Sequence, residues 1–214
     1  MSEQGDHHGE RREYAGLLTR ATLPEDPLEL FGAWLGAALD AGAKDATAMA
    51  LATASVDGVP AVRIVLLKSH GPEGFIWFTD YLSQKGRELA ANPQASLAFY
   101  WRDFDRQVRV TGTVGRVSAE ESQAYFNSRP EESRFSAAAS EQSQPVADRA
   151  TLEARVAELR ALHPDGDVPR PESWGGFVLA PESIEFWQGR EGRLHDRFRY
   201  DRTTAGWEIN RLQP

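Results

Sequence analysis

The sequence predicts a mainly β, α+β fold: a small antiparallel barrel with peripheral helices. Three observations predict it. Short apolar runs follow one another at hairpin-like distances through most of the chain. Asp57-Gly58 falls between two such runs, the strongest short-range hairpin signal. No long alternation of strands with helices appears, which argues against a doubly wound parallel sheet.

In chain order, residues 1–22 form a polar N-terminal segment expected to be flexible, and residues 23–214 a single domain. Asp26-Pro27 is a helix start, with an N-capping carboxylate and proline at the first helical position. Leu28, Phe31, Leu35 and Leu39 then recur at helical spacing, and Gly42 supplies the stop. Strands are expected over 49–55, 61–68 and 74–79. Ser83 caps a short helix over 84–91 that Asn92-Pro93 closes. Strands over 95–101 and 107–117 follow, the latter alternating Val108 and Val110 against Gln107, Arg109 and Thr111. Ser118-Ala-Glu-Glu121 opens a helix to about Ser128, and 148–162 is an amphipathic helix with Leu152, Val156 and Leu159 in register. A proline-rich link over 163–173 leads to strands over 175–179, 183–188, 193–200 and 207–212.

Composition narrows the function. Asp and Glu number 32 against 24 Lys and Arg, a net charge of -8, which disfavours a general binder of nucleic acid or membrane surfaces. Local basic clusters in such a chain point to a small anionic ligand. Cysteine is absent, so disulfides, thiolate metal sites and a cysteine nucleophile are excluded. Only five histidines occur and no zinc-binding motif is present, so no metal is expected. Residues 1–13 carry no apolar signal core, and no apolar run approaches the roughly 20 residues that cross a bilayer. A cytoplasmic protein is expected.

Four clusters could hold anions. Arg63-Ile-Val-Leu-Leu-Lys68 has a cation at each end; their opposite parity puts them on opposite faces of a regular strand, so either the strand is distorted or they serve different anions. Solvated strand ends fit equally well. Ser83-Gln-Lys85 sits at a helix start, where free N–H groups and a lysine attract anions; an ordinary capped helix is the alternative. Tyr125 and Arg129 lie i and i+4 on one helix face, and with the nearby serines offer donors suited to a phosphate monoester; an arginine serving its own helix carbonyls is the alternative. In the stretch 184–200, period two places Arg193, His195, Arg197 and Arg199 on one face and Leu194, Phe198 and Tyr200 on the other. Such a row of cations calls for an anion, or is a solvated face; Asp196 on the apolar side fits neither.

Taken together, Arg11-Arg-Glu-Tyr14, Asp26-Pro-Leu, Arg63-Ile-Val-Leu-Leu-Lys68, Tyr125-Phe-x-Ser-Arg-Pro130, Gln142-Ser143, Trp174-Gly-Gly-Phe177, Glu185-Phe-Trp-Gln-Gly with Arg193-Leu-His-Asp-Arg-Phe198, and the terminal Arg211-Leu-x-Pro214 resemble the pyridoxine/pyridoxamine 5'-phosphate oxidase family. The resemblance covers nearly the whole chain in order and spacing. It implies an FMN-binding split β-barrel, a homodimer with FMN between subunits, and oxidation of pyridoxamine 5'-phosphate or pyridoxine 5'-phosphate by O2 to pyridoxal 5'-phosphate and hydrogen peroxide.

By the same resemblance, Arg63, Ile64, Val65, Leu66, Leu67, Lys68, Phe78, Thr79, Gln84, Lys85, Gln107, Gln142, Ser143, Trp187 and Arg197 would hold FMN. Lys68, Tyr125, Arg129 and Ser133 would grip the substrate phosphate, Arg193 and His195 would cover its ring as the catalytic pair, and Arg11 and Tyr14 would form a lid. Two departures stand out. Gln84 occupies a position where many members carry arginine, and Arg134-Phe-Ser-Ala-Ala138 replaces a usual Gln-Ile-Gly-Ala-Trp. Rival readings are a sister flavin oxidase of phenazine biosynthesis and a non-enzymatic flavin-, haem- or pyridoxal-phosphate-binding barrel.

Overall fold

The computed structural model describes residues 16–214. Its elements are α1 (Pro27–Asp40), β1 (Ala48–Ala54), β2 (Pro60–Leu66), β3 (Ser69–Gly71), β4 (Gly74–Asp80), α2 (Gln84–Ala91), β5 (Gln94–Trp101), β6 (Arg106–Arg116), α3 (Ala119–Ser128), α4 (Glu131–Ala139), α5 (Arg149–Leu162), β7 (Trp174–Gln188), β8 (Asp196–Thr203) and β9 (Gly206–Leu212). The strands form one sheet in the order β2-β1-β5-β6-β7-β4-β3, with β8 pairing β7 and β9. The pairings of β1 with β2 and β5, of β4 with β3 and β7, and of β8 with β9 are antiparallel. None of the described helices is long and apolar enough to cross a membrane.

The chain divides into two compact units, with β5, β6 and β7 each contributing to both. The larger comprises 47–99 and 109–183. Here the Asp57-Gly58 turn forms as expected: Gly58 has φ +80°, the Ser55 N–H donates to Val59 O, and Ala54 pairs with Pro60. Side chains of β1 alternate, burying Met49, Leu51 and Thr53. Those of β6 in this unit bury Val110 and Val114. Ser83, Ser118 and Asp148 cap α2, α3 and α5, accepting from Gly86, Glu121 and Thr151 N–H respectively.

Two elements of this unit escape the sequence pattern. The first is β3, three residues long and paired to β4. The second is α4, whose N-cap residue Pro130 supplies no side-chain cap and which has a single fully buried anchor, Phe135. Phe135 joins Phe126, Val168 and Trp174 in one apolar cluster, against which Ala138, Val156 and Leu159 pack. Phe135 and Ala138 thus fill this region without the tryptophan of the usual motif.

The smaller unit comprises the described residues up to 46, 100–108 and 184–214. Asp26 accepts from Leu28 N–H at 2.9 Å, so α1 begins where expected. Its buried stripe is rotated from the expected one: Leu30, Phe31, Trp34, Leu35 and Ala38 are buried, while Leu39 is exposed. Trp34 meets Phe186 edge-on at 5.3 Å, and an edge contact with a large ring outweighs a leucine in burial. The strands expected over 175–179 and 183–188 are one continuous β7. The strand expected over 193–200 starts only at Asp196, because Glu191–Arg193 is a 3-10 turn in which Gly192 and Arg193 both have φ +62°.

Candidate functional site

In the larger unit, a cleft of about 490 Å³ is lined by Arg63, Ile64, Val65, Leu66, Lys68, Phe78, Thr79, Lys85, Tyr125, Arg129, Pro130, Ser133, Gln142 and Trp174. Most of these carry a role implied by family resemblance, and the fold brings them together from β2, β4, α2, α3, α4 and β7. Arg63 and Lys68 share the cleft despite their opposite parity. The reason is local: β2 ends at Leu66, Leu67 N–H turns to Thr47 O, and Lys68 N–H bonds Ile76 O of β4. Breaking the ladder resets the alternation. Leu67 itself is buried and does not line the cleft.

One wall is aromatic. The rings of Phe78 and Tyr125 stack at 3.9 Å, Phe78 and Trp174 at 5.7 Å, and Tyr125 and Trp174 lie within 5° of parallel. Lys68 Nζ lies 6.0 Å from the Tyr125 ring and the Arg129 guanidinium 4.7 Å from Trp174. Gly175 and Gly176 let Trp174 come this close: a Cβ on the first would collide with Tyr81 Oη, and on the second with the Phe78 ring. The motifs imply no role for Trp174; the glycine pair that follows it is the signal in the sequence.

The cations differ in what they meet. Arg63 pairs with Glu88 at 3.2 Å and donates to Thr53 Oγ1 and Leu51 O. Gln84 stands outside the cleft, donating to Glu88 at 2.8 Å. Against the effect of burial, hydrogen bonds from Thr53, then Gln84 and Arg63, with the charge of Arg63, hold the Glu88 carboxyl below its usual value. Lys85 is buried, yet its three hydrogen-bond partners are neutral: Thr79 Oγ1, Ser83 Oγ and Gln142 Oε1. Burial, then the nearby Arg63, pulls its ammonium down to about 8. Arg129 goes further: its Nη1 is buried without any hydrogen-bond partner, and burial disfavours its charge. Orphaned buried donors are rare and costly. A phosphate or similar anion would satisfy both groups. The helix-carbonyl alternative for Arg129 finds no support in these contacts.

Gln142 bridges Thr79 and Lys85. The adjoining Ser143, outside the cleft lining, holds a left-handed φ of +71°, a conformation that costs a non-glycine residue energy.

In the smaller unit lie Gln107, Trp187, Arg193, His195 and Arg197. Gln107 is half-buried on β6. The His195 and Trp187 rings are 4.6 Å apart, and His195 Nδ1 accepts the Arg190 N–H at 3.1 Å. Burial, then Arg193, lowers the His195 pKa. Arg193 is exposed on the 3-10 turn. The expected four-residue cationic face therefore does not form, since β8 begins after Arg193 and His195. Arg197 and Arg199 do share a half-buried face, opposite buried Asp196, Phe198 and Tyr200. Arg197 is paired to buried Glu185 at 2.8 Å and Arg199 to Asp201 at 2.9 Å. Leu194, expected on the apolar face, is 73% exposed. Arg11 and Tyr14 lie outside the described residues.

Residues 35–163 match the family described as pyridoxamine 5'-phosphate oxidase, and 174–214 match the pyridoxine 5'-phosphate oxidase C-terminal dimerisation region. A pyridoxine/pyridoxamine 5'-phosphate oxidase of Rubrobacter xylanophilus is 51% identical, the match covering 96% of this chain and 99% of that one. A second, from Hydrogenovibrio crunogenus, is 48% identical with 98% of each covered. Among solved structures, PhzG of Burkholderia lata in complex with tetrahydrophenazine-1-carboxylic acid is 34% identical with a TM-score of 0.87, covering 92% of this chain and 98% of that one. A pyridoxamine 5'-phosphate oxidase-related, FMN-binding protein of Nostoc punctiforme shares the fold, with a TM-score of 0.68 at 17% identity, over 86% and 96% of the two chains.

Proposed function

From the premise that the chain belongs to the pyridoxamine 5'-phosphate oxidase family, an α+β split-barrel family of flavoproteins, we propose that it oxidises pyridoxamine 5'-phosphate and pyridoxine 5'-phosphate to pyridoxal 5'-phosphate. Its cofactor is FMN, its acceptor O2 and its second product hydrogen peroxide; the amine substrate also takes up water and releases ammonia. It works as a homodimer in the cytoplasm. The observation that carries the reading is the buried, unpartnered Arg129 Nη1 in a cleft shared with Lys68, Tyr125 and Ser133.

The donor set suits the two phosphates this reaction requires. Arg129 with Tyr125 and Ser133 would hold the substrate phosphate, Lys68 supplying further positive charge. Lys85, Arg63 and Thr79, with Gln142 and the backbone of Ile64, Val65 and Leu66, would hold the cofactor; Leu67, Phe78, Gln84, Gln107, Ser143, Trp187 and Arg197 complete that proposed set. When bound, FMN supplies a two-electron acceptor that O2 regenerates. The protein's own contribution is orientation of the substrate C4' carbon and exclusion of water by the aromatic wall. We assign Arg193 and His195 to the substrate ring, and Arg11 and Tyr14 to its cover, on family membership.

A second reading is supported by the likeness to PhzG: a sister oxidase acting on a ring without phosphate. Orphaned Arg129 beside Lys68, Tyr125 and Ser133 favours the phosphorylated substrate, because this donor set matches the three oxygens of a phosphate better than a single ring carboxylate. One experiment separates these. Purified yellow protein should release peroxide from pyridoxine 5'-phosphate but not from pyridoxine. A yellow protein inert toward both vitamin B6 phosphates would favour the sister oxidase, and a colourless one a binding module.

A further inference from the structure

Asp196 has no place in the reaction as described, yet its buried carboxylate meets three groups from separate segments of the smaller unit. It is 5% exposed. Its Oδ1 accepts from Arg211 Nη2 at 2.5 Å. Its Oδ2 accepts the Leu18 N–H at 3.2 Å and faces Arg190 Nε at 3.7 Å. Arg190 is tied a second time, Nη1 donating to Gly16 O at 2.9 Å. The same residue's backbone N–H then donates to His195 Nδ1. One buried carboxylate therefore joins β8, β9, the chain at Gly16–Leu18 and the loop that carries His195.

A buried carboxylate is tolerated only when paired, and here two guanidiniums compensate one charge. Arg190 is thus tied on two sides, by an ion pair to the carboxylate and by a hydrogen bond to Gly16 O. The consequence reaches the imidazole. A nitrogen that accepts an N–H bond carries no proton, so the neutral ring must bear its hydrogen on Nε2. Trp187 against the ring restricts its rotation.

We propose that Asp196 is a positioning residue for His195: acting through Arg190, it holds the imidazole as the Nε2–H tautomer, so that His195 presents a hydrogen-bond donor. The proposal rests on the reading that His195 covers the substrate ring. It assigns the histidine an orienting role in which it donates a hydrogen bond to an electron-rich atom of that ring, rather than removing a proton at Nδ1.

The test is nitrogen-15 NMR of the FMN-loaded full chain labelled at histidine, with His195 signals identified by their loss in His195→Gln. In the unsubstituted protein Nδ1 should read as an unprotonated acceptor and Nε2 as protonated. In Asp196→Asn the two signals should move toward the averaged values of a free, tautomerising imidazole. Turnover of pyridoxine 5'-phosphate should fall about tenfold in kcat/KM, with FMN stoichiometry retained. Should Asp196→Asn not fold, Arg190→Met keeps the backbone donor while cutting the link to the carboxylate, and should shift the tautomer in the same direction. A protonated Nδ1 in the unsubstituted protein, or an unmoved spectrum in the folded variants, overturns the proposal. Absence of turnover by the unsubstituted protein would count against the functional reading alone, since the tautomer is measured without turnover.

Discussion

The cleft of the larger unit and the arginine-rich C-terminal stretch of the smaller one are both locally basic, but their charges are satisfied differently. In the stretch, each guanidinium of 190, 197, 199 and 211 has a carboxylate from its own unit: Asp196, Glu185 or Asp201. In the cleft, among the described residues, Lys85 has hydrogen bonds to neutral partners only and Arg129 Nη1 has none, while Arg63 is ion-paired to Glu88. The difference teaches that charge density along a sequence is a poor guide to an anion site. What distinguishes this one is a set of buried cations short of partners that line a single cleft.

Substitutions can break or sharpen this contrast. The largest effect is expected at Arg129. Arg129→Leu should lower kcat/KM for pyridoxine 5'-phosphate by about 100-fold or more, the ~3 kcal/mol of a charge-assisted bond, with thermal stability unchanged or raised as a buried orphan is removed. Steady-state peroxide release beside a melting curve would show it; retained activity would abolish the contrast. Next comes Arg197→Ala, which removes the guanidinium paired to buried Glu185. It should destabilise the fold by about 2–3 kcal/mol, below the ~3–5 kcal/mol of a fully buried pair because Arg197 keeps some solvent contact, seen as a lowered melting temperature of the apoprotein.

Lys85→Met should weaken FMN about tenfold, ~1.4 kcal/mol, by fluorescence titration. The sign of its pH dependence follows from the lowered pKa. Free of ligand, Lys85 loses its proton as pH rises through about 8, whereas a bound phosphate favours the charged form. Affinity should therefore be greatest below pH 8 and decline above it, binding should take up protons near that pH, and Lys85→Met should flatten the decline. Smallest is Arg199→Ala: its pair with Asp201 is partly exposed, and the loss should stay within about 0.5 kcal/mol. A cost as large as that of Arg197→Ala would mean burial does not govern the stretch.

Much of the fold is legible where signals are local. Asp26-Pro27, Ser83, Ser118 and Asp148 mark four helix starts through their own side chains, and Asp57-Gly58 marks a hairpin through backbone conformation. α4 was not legible, since its anchor Phe135 is a single apolar residue among Ser and Ala, with no period to read. The rotated stripe of α1 was missed for a related reason: Trp34 outranks Leu39 only once Phe186 lies opposite. In the site, Tyr125 with Arg129 was legible from helical spacing, but Trp174 was not, because its partners Phe78 and Tyr125 are remote in sequence.

The sequence by itself determined the helix caps, the hairpin turn, the alternation of β6 and, through long ordered motifs, the family. Those depend on neighbours a few residues apart. Only the tertiary structure decided which charges are spent and which remain available. Parity holds along an unbroken strand, and both basic strands are interrupted: β2 changes partner after Leu66, and β8 starts only at Asp196. Ion pairing falls off within a few ångströms, so whether Asp196 meets Arg190 and Arg211, or Arg129 Nη1 is left without a hydrogen-bond partner, is settled by packing and not by order in the chain.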